Sequence, residues 1–92
     1  MAFSKISVNK DTWTLIGNNV SSITFQNIGQ FPAYVNFSAN TSPPISTIGL
    51  VYDSYQKELK KTVTDMTYLS SPNYVWVKAV SASTSFAVET SA

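Results

Sequence analysis

From Ser22 to Phe37 the chain reads Ser-Ile-Thr-Phe-Gln-Asn-Ile-Gly-Gln-Phe-Pro-Ala-Tyr-Val-Asn-Phe, and no other stretch restricts the fold as much. Ile23 and Phe25 alternate with Thr24 and Gln26, and beyond Gly29 the residues Ala33, Val35 and Phe37 alternate with Tyr34 and Asn36. A period of two places each set on one side of an extended chain, so both runs predict half-buried strands with an apolar inner face. The break at residues 27 to 31 predicts a tight turn and therefore a β-hairpin. Gly29 would supply a positive φ at little cost, and Pro32 would open the second strand where a missing N–H is tolerated.

The same period recurs on either side. Residues 3 to 8 predict a strand with Ile6 and Val8 inward, and residues 12 to 16 a second with Trp13 and Leu15 inward, closed by Gly17-Asn18-Asn19. Residues 38 to 47, with Pro43-Pro44 at their centre, can neither continue a ladder nor enter a helix interior and predict an exposed loop. Ile48 to Tyr52 resumes a strand, with Gly49 marking a kink or a close backbone approach. In residues 74 to 80, Val75, Val77 and Ala79 face inward and Tyr74, Trp76 and Lys78 outward. A short polar link then leads to a closing strand over 85 to 89 with Phe86 and Val88 inward, which predicts a second hairpin.

Residues 53 to 69 fit two templates. Tyr55, Leu59 and Val63 have helical spacing, whereas Lys61-Thr62-Val63-Thr64 suits a strand. Lys57, Lys60 and Lys61 read as a solvated face or as an edge strand guarded against unwanted pairing. Thr64 to Leu69 predicts one helical turn with Thr64 as N-cap, ended by Ser70-Ser71-Pro72. The fold class is all-β: one domain over residues 1 to 92, a small antiparallel β-sandwich, Ig-like or a partly open barrel. About six to seven short strands and at most one helical turn are expected.

Composition limits the chemistry. Cysteine, histidine and arginine are all absent, which removes thiolate and imidazole catalysis, the usual zinc sites and the guanidinium fork that reads phosphate or guanine. The carboxylates, Asp11, Asp53, Glu58, Asp65 and Glu89, are scattered and form no calcium loop or facing acid pair. No phosphate loop or nucleophile elbow is present. A non-enzyme without cofactor or metal is expected. With 12% charged residues and a net charge of +1, against about 25% charged in an average domain, nucleic-acid binding is not expected, and docking onto an assembly or self-association is favoured. The N-terminus has no apolar leader and no run approaches the length of a membrane span, so a cytoplasmic product without membrane contact is expected. Tyr34, Tyr52, Tyr55, Tyr68, Tyr74 and Trp76, together with Phe25, Phe37 and Phe86, exceed what a small core can hold, and outward aromatics suit a protein interface better than sugar stacking in so uncharged a context. Tyr34, Pro43, Pro44, Tyr74 and Trp76 are the candidate interface.

The order Val8-Asn9-Lys10-Asp11-Thr12-Trp13-Thr14-Leu15-Ile16, Ile23-Thr24-Phe25-Gln26-Asn27-Ile28-Gly29, Ala33-Tyr34-Val35, Ile48-Gly49-Leu50, Tyr74 to Ala79 and Phe86 to Glu89 resembles a group of small virion proteins of tailed bacteriophages. In that group a TxxNxG hairpin precedes a GxxL segment and a VYAxA-like strand. The resemblance covers nearly the whole chain, except that residues 53 to 69 depart from the short xPGE stretch of the group. It implies a β-sandwich that decorates capsids or sits in tail and fibre assemblies, with no catalytic residue. The expected partners are the major capsid protein or other virion proteins, and the expected location is the virion after synthesis in the host cytoplasm. A receptor- or glycan-binding module of a tail appendage is the alternative.

Overall fold

The computed structural model describes residues 3–90; the remaining residues of the single-domain span, at either end, lie outside the described residues. Among the described residues there are eight strands: β1 (Ser4–Val8), β2 (Thr14–Gly17), β3 (Ser22–Asn27), β4 (Ala33–Ser38), β5 (Leu50–Tyr52), β6 (Lys57–Thr62), β7 (Tyr74–Ala79) and β8 (Thr84–Thr90). They form two antiparallel sheets of four, in the orders β1-β8-β3-β6 and β2-β7-β4-β5. The thin dimension of the molecule is 18 Å, which accommodates two face-to-face sheets about 10 Å apart. The chain is thus an all-β sandwich, and the additional strand lies in the segment that fitted two templates.

The inward residues follow the alternation. Val8, Ile23, Phe25, Ala33, Val35, Phe37, Val75, Val77, Ala79, Phe86 and Val88 are all buried, and Ile6 packs against them from the rim. Phe25 is central, with its ring 5.1 Å from that of Tyr52 in an edge-on contact and 5.9 Å from that of Phe86. Strand β2 departs from expectation. Thr14 lies opposite Val77 and Leu15 opposite Trp76 of the outer face, so alternation carries Ile16 into the core. Trp13 and Leu15 are half-buried outer-face residues rather than core, because the strand turns its other face inward; the bulge between Leu15 and Gly17 follows them.

Both expected hairpins are corrected. β3 pairs with β6 and β8, and β4 with β5 and β7; likewise β7 and β8 belong to opposite sheets. Every link between consecutive strands crosses between sheets except the one from β4 to β5. Gly29, in the crossing from β3 to β4, has no positive φ. Its requirement is space, since a Cβ there would lie 1.9 Å from Thr84 Oγ1. Gly49 lies just before β5, whose register with β4 is regular, so it marks no kink within the strand; it makes the close backbone approach instead, since a Cβ would lie 2.4 Å from the carbonyl oxygen of Val35. The helical turn is a 3-10 turn at Val63–Asp65, beginning two residues earlier than expected. Its N-cap is Thr62, without a side-chain cap bond, rather than Thr64.

The crossing is held by Asn27, which is fully buried. Its Nδ2 donates to the carbonyls of Phe31 (2.8 Å) and Tyr52 (3.0 Å), and its Oδ1 accepts from Gly29 N (3.1 Å) and Thr84 Oγ1 (2.8 Å). An amide side chain has two donors and two acceptor sites, so this one is fully satisfied and ties the end of β3 to the connection leading into β4, to β5 and to β8. Beside it Tyr52 OH donates to Glu58 Oε2 at 2.9 Å, linking β5 of one sheet to β6 of the other. Burial, and behind it the hydrogen bond to Glu58 and the charge of that carboxylate, push the phenol well above its ordinary value of 10.0.

Candidate interaction surface

The eleven charged residues are unevenly placed: none lies between Thr12 and Tyr52, and none between Met66 and Val77. The fold brings these two uncharged stretches together. β6, at one edge of its sheet, carries Lys57, Lys60 and Lys61, and it is kinked by a bulge opposite Ile23 and Phe25, with Lys60 at φ 49° and its N–H donating to Thr24 Oγ1 at 2.8 Å. Positive charge and a bulge are what protect an edge from further pairing, so the structure places the lysines as the edge-strand reading expects. The uncharged stretches meet on the β4–β5 side of the other sheet.

Two shallow grooves of about 380 and 410 Å³ adjoin there and share Asn36 and Phe37 as lining. The first runs between Ile48, Leu50, Met66 and Tyr68; the second between Pro43, Pro44, Ile45 and Leu69. Ile45 and Tyr68 are as exposed as free side chains, at 102% and 108%, and Ile48, Leu50 and Leu69 are also exposed. Isolated exposed apolar residues are ordinary, whereas a contiguous group rimmed by Ser, Thr and Asn is the usual form of a binding surface.

The loop carrying Pro43 and Pro44 does not hang free. Trp13 Nε1 donates to the carbonyl of Ser46 (3.2 Å) and Asn36 Nδ2 to that of Ile48 (3.0 Å). Trp13 precedes β2 at one edge of the sheet, and the loop enters β5 at the other, so it must reach back over the outer face of β7. Trp76 lies in that face with its Nε1 donating to Ser38 Oγ at 2.8 Å, and it is only 6% exposed. Its place on the outer face was expected; its exposure is corrected, because Leu15, Asn36 and the loop cover it. Of the other candidates, Pro43 is exposed and Pro44, Tyr34 and Tyr74 are half-buried. Pro43 and Pro44 line a groove together with Ile45; Tyr34, beside Val51 across β4 and β5, and Tyr74 line neither groove. Sequence reasoning named Tyr68 only among the surplus aromatics and missed Ile45, Ile48, Leu50 and Leu69. The available signal was the absence of charge across both stretches.

Lys78 Nζ sits 5.4 Å from the centroid of the Trp13 ring, a cation–π contact at the far edge of the same face. Among the described residues no group of three or more Asp and Glu is placed to hold a metal ion. Neither a protein-family model, nor a curated protein, nor a solved structure matches the chain at a significant level.

Proposed function

We propose that this chain is a non-enzymatic virion structural protein that docks on the outside of a tailed-phage head and stabilises it. The observation that carries the docking part is the contiguous exposed group Ile45, Ile48, Leu50, Tyr68 and Leu69 in a charge-free region. The phage assignment rests on the resemblance of the strand motifs. Pro43 and Pro44 stiffen the loop that presents Ile45, which lowers the ordering cost of binding. An exposed lysine pair contributes about 0 to 1 kcal/mol and is screened by salt, whereas a desolvated aromatic anchor contributes about 2 kcal/mol or more. Tyr68 is the anchor and the β6 lysines are bystanders.

The test has two stages. Mass spectrometry of purified particles should find the protein in stoichiometric proportion to the major capsid protein. Titration onto undecorated particles should then give equal occupancy at about 50 mM and about 1 M salt, with Lys57, Lys60 and Lys61 changed together to Gln having no effect and Tyr68→Ser with Ile45→Ser abolishing it. Loss of occupancy at high salt or in the Gln variant moves the docking surface to β6. Co-purification with tails only, or binding on a glycan array, replaces head decoration by the tail-appendage function.

A further inference from the structure

The four edge strands of the sandwich are not equally protected. β6 has its lysines and its bulge, β2 has a bulge at Ile16, and β1 carries Lys5. β5, Leu50–Tyr52, has neither charge nor bulge. Its register with β4 is regular: Ala33 opposite Tyr52, Tyr34 opposite Val51, Val35 opposite Leu50. The carbonyls of Ile48 and Tyr52 are both taken by asparagine side chains of the protein itself, Asn36 and Asn27. Backbone groups alternate in direction along a strand, so the N–H and C=O of Val51 face the open side. The Val51 side chain is 54% exposed and Leu50 beside it is exposed as well.

We propose that β5 is a self-pairing edge: two copies of this chain associate about a two-fold axis through Val51, antiparallel β5 against β5, joining their four-stranded sheets into one of eight. An isologous contact sets each residue near its own equivalent, so any charge close to the axis would meet a like charge. Here residues 12 to 52 are uncharged, and Asp53, the nearest charge in sequence, falls opposite Gly49 of the other copy in this register. An antiparallel strand pair is also the one backbone ladder that a two-fold axis generates from a single strand. Both copies supply Ile48 and Leu50 beside the ladder, and these apolar residues add burial that three residues of ladder lack by themselves. A standard interface removes about 800 Å² from each partner, roughly 15% of the 5268 Å² surface, which the edge and its neighbours on the β4–β5 side can provide.

The chain has no cysteine, so one introduced thiol reports unambiguously. In a hydrogen-bonded antiparallel pair facing Cα atoms are about 5.5 Å apart, within disulfide reach. Val51→Cys should therefore form a disulfide-linked dimer under mild oxidation, while Leu59→Cys, which is more exposed than Val51 and lies on the lysine-bearing edge, should remain monomeric. Sedimentation of the unmodified protein from low micromolar to near-millimolar concentration should show a monomer–dimer equilibrium unchanged between about 50 mM and about 1 M salt. Val51→Lys should weaken it about tenfold or more, and Val51→Thr should retain it; circular dichroism should show both variants folded. A monomer throughout that range, or Val51→Lys dimerising as well as the parent, overturns the proposal. So does cross-linking of Leu59→Cys as fast as Val51→Cys. The measurements use purified protein alone, so their outcome is independent of whether it docks on a particle.

Discussion

Phe25 and Asn27 occupy the same face of β3, two residues apart, and they show two different ways of stabilising an interior. Phe25 touches Tyr52 and Phe86, and Phe25→Ala should cost about 3 to 5 kcal/mol in a domain whose whole stability is of the order of 5 to 15 kcal/mol; urea denaturation measures it. A loss below about 1 kcal/mol would contradict this packing. Asn27 contributes through hydrogen bonds, and Asn27→Ala would strand its buried partners at about 1 to 3 kcal/mol for each unsatisfied group. Asn27→Asp is more informative, because a carboxylate would face the Phe31 and Tyr52 carbonyls where the amide now donates. Burial and those carbonyls raise the folded pKa of that acid above its unfolded value of about 3.9, so the variant should lose stability as the pH rises through that value and regain part of it in acid. A flat profile between pH about 3 and about 7 would count against it. Tyr52 has the same sign at the other end of the scale. Its folded phenol holds its proton more tightly than the unfolded one, so the protein should lose stability as the pH rises above about 10, and Tyr52→Phe should lack that component of the alkaline loss in thermal melts. The position of Phe25 was legible from alternation alone. That of Asn27 was not: residues 27 to 31 read as a turn, whereas Asn27 ends β3 on the buried face of Ile23 and Phe25, and the partners that make its burial possible lie on strands far away in sequence.

At the scale of elements, the period of two told which face of each strand is buried and was silent on which strand lies beside it. Residues 22 to 37 show this: Ile23 and Phe25 face Val35 and Phe37 across the core instead of pairing with them in one sheet, and either arrangement needs the same alternation. Strand β2 is the complementary case. Trp13 and Leu15 share one face and Thr14 and Ile16 the other, and it is the second that meets the core; the partners that hold Trp13 outside, Ser46 and Lys78, are far away in sequence. Position 29 tests the crossing directly. Gly29→Ala places a methyl group onto the Thr84 hydroxyl and should cost about 1 to 3 kcal/mol by overpacking, although the backbone there is ordinary for any residue. A melting temperature unchanged by Gly29→Ala would show that this junction is looser than described. The loop over the outer face gives a second test: Trp13→Phe removes the bond to Ser46, and hydrogen exchange should quicken in residues 39 to 49 while the strands keep their protection.

At the scale of the whole molecule, the segregation of charge governs behaviour in solution. With lysine as the sole cationic residue type and a net charge of +1, gel shifts with DNA or RNA at physiological salt should show no binding, since counterion release has few contacts to draw on; submicromolar binding would refute that. The succession of strands has a consequence of another kind, in the order in which the fold is made. β8 is the last strand of the fold to be synthesised, yet it lies between β1 and β3 and pairs with both. Until it emerges from the ribosome, β1 has no neighbour in its sheet, and only the β3–β6 pair stands opposite the other sheet. The sandwich therefore closes from its middle and not from either end: the strand that joins β1 to β3 is made after both, so the first strand must stay unpaired until the last one arrives.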